Sequence, residues 1–338
     1  MRRSEHASVM LAALVVVAVA AAVAAALATL AHTELVLARN RDAATRAQAA
    51  ADGCLAGVVA GLPAGWDFAE ALAGPDATAG TGDDGVVPTP PGCSATLAQA
   101  PGPAVPPRVL ADVVAVAGAG RRLVRGVVGR APSPGPPALL WLAEAATLRP
   151  VGGTLTLDGT DAGRPAAPQL APMAAPGDPA ALDAWIAAQG AHVTTSPARA
   201  LHAPRPPVAE LADRLRAAGA ALTGTLVPGG VPPLARTWSP GDLVVAGNAR
   251  GRGLLLVEGL LDITGAFEFN GVVVASGGIR VAAGARLEVR GVVWLGPDAT
   301  FVGDGDAAVR ADGDALESAD DLLALPRRAL LAGLRDPP

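Results

Sequence analysis

The chain has 338 residues, 51% hydrophobic and 17% charged, with a formal net charge of −5. Its basic residues are all arginine and lie scattered, and aromatics make up 3%. Nothing in that suggests the concentrated basic face or the stacking platforms of a nucleic-acid binder. The 41 glycines and 31 prolines belong to an Ala/Gly/Pro/Arg skew that fits a GC-rich genome, so they count neither for disorder nor for helix.

Residues 1–6 form a short leader with Arg2 and Arg3. From Ala7 to Ala31 there are 25 residues without a charge. About 20 helical residues cross the ~30 Å hydrocarbon core, so 7–31 are expected to span a bilayer. A cleaved signal peptide is the alternative, but its apolar region usually runs only ~7–15 residues. Arg39, Arg41 and Arg46 flank the far side, so charge counting leaves the orientation open.

A small-apolar stripe continues at Ala43, Ala47, Ala50, Cys54, Val58 and Leu62. Spacings of three and four place it on one helical face and predict an amphipathic extension over 32–62, stopped by Pro63. Gly53, Gly57 and Gly61 each cost ~1 kcal/mol in a helix and weaken its last two turns. Cys54 on this helix and Cys93 in "VVPTPPGCSATLAQ" form a candidate disulfide in a chain routed across a membrane, the alternative being two buried thiols. No CxxC or histidine partner points to redox or zinc chemistry.

Residues 63–107 read as a Pro/Gly-rich loop region and 108–240 as a mixed α/β region. Within the latter, Arg108–Pro132 predicts two strands around Gly118–Gly120, and "GTLTLDG" one more. Residues 163–181 read as loop. Helices are expected over 180–190 and 207–219, packing on a solenoid formed by the next part of the chain.

From Gly253 to Gly296 the chain reads "GLLLVEGLLDITGAFEFNGVVVASGGIRVAAGARLEVRGVVWLG". Its glycines recur at 253, 259, 265, 271, 277, 284 and 291. Strands this short, with a turn every six or seven residues, cannot build an ordinary meander. They fit a β-solenoid over 241–310 with coils of about 18–20 residues and glycines at the corners. Leu256, Ile263, Phe269, Val273, Ile279, Leu287, Val289 and Val293 are expected to point inward, Glu258 and Arg280 outward. An antiparallel sandwich is the alternative. Beyond the coils, 311–338 read as a tail. Asp304, Asp306, Asp312 and Asp314 could gather calcium but fit neither the EF-hand loop nor the repeat calcium motif, so they read as a solvated end of the solenoid.

The charged leader, the apolar half-helix and "ELVLARNRDAATRAQAAADG" together resemble the N-terminal region of PilX-type type IV pilus assembly proteins over about the first 60 residues. Arg39, Asn40, Arg41, Gln48, Ala49, Ala50 and Gly53 carry that likeness. The Pro-rich joint before "GTLTLDG" and the Gly-spaced coils are similar to later parts of the same family. The resemblance implies a cytoplasmic leader, an inner-membrane helix and a periplasmic or extracellular C-terminal domain. Its implied partners are other pilin-like subunits and inner-membrane assembly proteins, with no direct nucleic-acid partner. It also implies a processing point between Ala7 and Ser8, before the apolar run. Typical pilins carry a Glu at the fifth position of the mature chain, where Ala12 stands here. No acid lies between Ser8 and Ala31, which suits a tip or priming subunit better than a repeating shaft.

The fold class expected is α+β: a long pilin-like helix, then a mainly-β domain ending in a short β-solenoid. The function expected is that of a non-enzymatic, membrane-anchored minor component of a type IV pilus or type II secretion-like filament. The alternative is a cell-surface or periplasmic solenoid used for binding or adhesion. No catalytic, metal or cofactor residues are assigned. Solenoid acyltransferases need a histidine on the coils, and His6, His32, His192 and His202 all lie outside them. A pectate-lyase-like coil would need an organised set of exposed Asp, Arg and Lys that these coils lack.

Overall fold

A computed structural model describes residues 2–65, 67–101, 107–144, 148–149, 151–164, 166–218, 226–297 and 299–335. Helix α1 (Arg2–Gly61) is continuous through the apolar run and its amphipathic extension, about 90 Å in all. Its far end lies on an antiparallel sheet of β1 (Val86–Val87), β2 (Cys93–Gln99), β3 (Val109–Ala117), β4 (Gly120–Arg130) and the C-terminal β19 (Ala329–Arg335).

Alternation explains this sheet. In β3, Val109, Ala111, Val113 and Ala115 are buried while their neighbours are less so. They meet Ala51, Cys54, Leu55 and Val58 of α1 and Leu62 just beyond its end. The predicted stripe thus faces the sheet, joined by Ala51 and Leu55, which its spacing had not included. Small residues let the helix approach closely. A Cβ at Gly120 would strike the Ala43 carbonyl, and one at Gly126 would press on Leu55. The region expected as loop over 63–107 therefore supplies two strands and the short α2 (Ala69–Leu72). The expected tail supplies α5 (Gly313–Asp320) and the edge strand β19, which pairs with β4.

The β-solenoid is inserted between β4 and β19. Its strands stack in parallel on three faces. One face takes the first halves of β12 (Asn248–Val257), β14 (Ala266–Ala275) and β16 (Arg286–Leu295), then β18 (Asp306–Arg310), β6 (Thr154–Asp158) and β8 (Val193–Ser196). The second takes β10 (Ala235–Ser239), the second halves of those long strands, then β5 (Ala138–Leu142), β7 (Ala171–Ala175) and β9 (Leu201–His202). The third is β11 (Leu243–Val245), β13 (Leu261–Ile263), β15 (Gly278–Val281) and β17 (Thr300–Gly303).

Order in the stack differs from order in the chain. The coils begun at β5 run away from β16 toward β9. The chain then restarts at the opposite end with β10 and winds back until β16 and β18 dock on β5 and β6. The solenoid therefore extends beyond 241–310 into 138–202, and β7 lies in the stretch expected as loop. Its two connections, 131–137 and 311–328, leave and return side by side.

Gly253, Gly271 and Gly291 stand in register across three coils, with φ of 108°, 134° and 137°. They form the corner between the first two faces, as the 18- and 20-residue spacings predict. Seven of the eight residues expected inside, from Ile263 to Val293, line the internal core. Leu256 does not. It points outward on the second face, where Leu254, Leu256, Val272 and Val274 are covered by α4 (Val208–Ala218) and the α5 region. Here "LLLV" is buried on both sides, so alternation vanishes and register cannot be read from the sequence. Leu255 and Val257 face in instead. Helix α3 (Ala180–Gln189) packs Leu182, Trp185 and Ile186 on the internal core. Glu258 is also less open than expected, since it accepts hydrogen bonds from Trp238 and Arg216.

A knot of arginines joins the solenoid to the sheet. Arg130, ending β4, donates to the carbonyls of Pro63, Asp67 and Arg327 and stacks 3.9 Å from the Phe68 ring centroid. Burial lowers the pKa of its guanidinium. Arg327 donates to the Asp320 carboxylate and the Leu323 carbonyl, while its backbone pairs with Gly65.

Candidate functional site

The feature that demands a function is the free half of α1. From residue 13 to 42 every residue of the helix is exposed. Met10, Leu14, Val17, Val23, Leu27 and Leu30 each have more than half their surface open. This helix is long and apolar enough to cross a membrane, and none of its apolar window is buried in the fold. Monomeric proteins rarely leave so large an apolar surface in water. Two hydroxyls of the exposed stretch are satisfied within the helix: Thr29 donates to the Ala26 carbonyl at 2.7 Å and Thr33 to that of Thr29 at 2.8 Å. An apolar surrounding therefore strands neither of these donors.

Polar chemistry begins where the sheet begins. Arg46 pairs with Asp42, and Gln48 bonds both Asp52 and Arg122 of β4. One turn further, Cys54 is joined by a disulfide to Cys93 at the start of β2, closing a 39-residue separation. The bond fastens the sheet to the helix just beyond its exposed half. Such a loop closure stabilises by about 3–4 kcal/mol in the chain-entropy model. A Cys54→Ser, Cys93→Ser double variant should lose about that much stability in urea unfolding. The untreated protein should resist alkylation until reduced. Two thiols alkylated without reductant would contradict the bond.

Ala7 and Ser8, the expected processing point, lie within the first turns of α1. The four aspartates read as a solvated solenoid end are not at an end, because β6 continues the stack beyond β18. Asp306 accepts from Thr154, Asp312 caps α5 through the Ala315 N–H, and Asp314 pairs with Arg164. Among the described residues no group of three or more His, Cys, Asp or Glu is placed to hold a metal ion. Contrary to expectation, His202, on β9, and His192, just before β8, lie on the extended solenoid rather than outside it, and each is bonded to a backbone carbonyl, of Gly177 and Gly153 respectively.

Comparison with protein-family models, with curated proteins and with solved structures finds no match for the chain. The class that the fold defines is a mainly-β protein with one long N-terminal helix, half of it packed on a sheet and half without a partner, carrying a β-solenoid as an insertion.

Proposed function

We propose that this protein is a membrane-anchored, non-enzymatic minor subunit of a type IV pilus or a type II secretion-like filament. One observation carries the reading: a single unbroken helix is a sheet-packed stem in its second half and a bare apolar rod in its first. A helix that only anchored a soluble domain could be joined by a flexible linker. Here the rod is helically continuous with the packed half, which the Cys54–Cys93 bond braces. That suits a helix which leaves the bilayer and packs among similar helices, carrying its domain at a fixed angle. The PilX-type resemblance of the first 60 residues points the same way. In this arrangement the inner membrane holds the helix before assembly, and the solenoid faces the periplasm or the exterior. Lacking an acid near its mature start, the subunit belongs at a tip or in a priming complex.

Deletion of residues 2–31 tests the anchor. The full chain should remain in the membrane pellet after alkaline carbonate washing, whereas the deleted form, exported by a cleavable signal, should be soluble. Its Cys54–Cys93 bond should still form, because the core of the sheet begins at Ala47. A full chain released by carbonate would overturn the anchor.

A further inference from the structure

Arginines scattered through the sequence are brought together by the coil period. On the first solenoid face, strand register aligns Arg252, Asn270, Arg290 and Arg310 in one row beside the glycine corner. Successive coils lie ~4.8 Å apart, so this row runs straight for about 14 Å along the solenoid axis. No acid interrupts it until Asp158 on the next coil. Arg252, Arg290 and Arg310 are exposed. Arg252 and Arg310 have no ion pair among the described residues, and Arg290 reaches Glu288 only at 3.6 Å. The neighbouring row, Arg250, Glu268, Glu288 and Ala308, is different in kind. There Arg250 is spent on Glu268, and Glu288 also takes Arg286 from the outermost row.

We propose that this face binds a linear acidic polysaccharide laid along the solenoid axis, its carboxylates meeting the Arg252–Arg290–Arg310 row. Guanidinium forks match carboxylates in geometry and remain charged at any physiological pH. The outward positions of these two rows hold no aromatic side chain, so neither a neutral sugar nor a nucleic-acid base finds a stacking surface. The adjacent glutamates also oppose a polymer as densely charged as DNA, which carries a charge every ~1.7 Å of duplex axis. A polymer with one carboxylate per sugar can place its charges on the arginine row and its hydroxyls over Glu268 and Glu288.

The test uses the purified full chain in detergent, with polygalacturonate, neutral dextran and a double-stranded DNA oligonucleotide as probes in affinity electrophoresis. Polygalacturonate should retard the protein at low salt, progressively less as salt rises, and dextran should not. An R252S/R290S/R310S variant should bind about tenfold or more weakly while keeping its melting temperature. An E268Q/E288Q variant should bind more tightly. No retardation by polygalacturonate, undiminished retardation of the triple variant, or equal retardation by DNA would each overturn the proposal. None of these readouts depends on membrane insertion or filament assembly, so failure here leaves the assembly reading untouched, and the reverse.

Discussion

Changing Gly271 to alanine is expected to break the coil stack and cost about 4 kcal/mol or more. Two effects coincide there. The backbone sits at φ 134°, a region that L side chains rarely adopt. A Cβ would also collide with the carbonyl oxygen of Gly253 on the preceding coil, just as a Cβ at Gly291 would collide with the carbonyl of Gly271. Both neighbours are backbone, so no side chain can swing away to make room. Gly284 gives the internal comparison. It too is left-handed, at φ 78°, but nothing lies within 4 Å of its would-be Cβ. Gly284→Ala should therefore cost only the conformational term, about 1–2 kcal/mol. Thermal and urea unfolding of the two variants checks this, and equal losses would contradict the glycine ladder.

Aspartate at Val273 is expected to be comparably severe. Val273 lies inside the coil between Leu255 and Val293, with no exposed surface. A carboxylate there has no donor or cation to meet and costs several kcal/mol, whether it stays charged or takes up a proton. Leu256→Asp should be equally damaging although Leu256 points the other way, because α4 and the α5 region bury that face too. Arg280→Ala, which removes the exposed partner of an ion pair with the mostly buried Asp262, should cost far less, about 1 kcal/mol. Circular dichroism melting and limited proteolysis separate the three. A mild Leu256→Asp would mean that the second face is open rather than covered.

The long helix and the coils between residues 241 and 310 could be read in advance because each has a strong period. The helix repeats small apolar residues every three or four positions, and the coils repeat glycine every six or seven. What escaped the sequence lacked such a signal. Strands "ALLWL" and "APMAA" are buried on both faces and so show no alternation. They belong to coils separated by α3 and by long loops, which hides their spacing. Strand β19 reads as a tail because its leucines stay largely exposed on a sheet edge. Only the pairing with β4, across about 200 residues of inserted solenoid, identifies it. The disulfide could be proposed from two cysteines alone, whereas the arginine row could not. Its members lie at 252, 290 and 310, and only the observed 18- and 20-residue coil steps bring them side by side.

Quantitative proteomics of filaments sheared from the cell surface tests the assembly role most directly. The chain is expected in the sheared fraction at a small share of the major subunit's copy number, with peptides covering residues 39–61 of α1 and the solenoid together. Its absence from that fraction, with full recovery in the membrane, would contradict a filament subunit. A copy number rivalling the major subunit would contradict the tip or priming role.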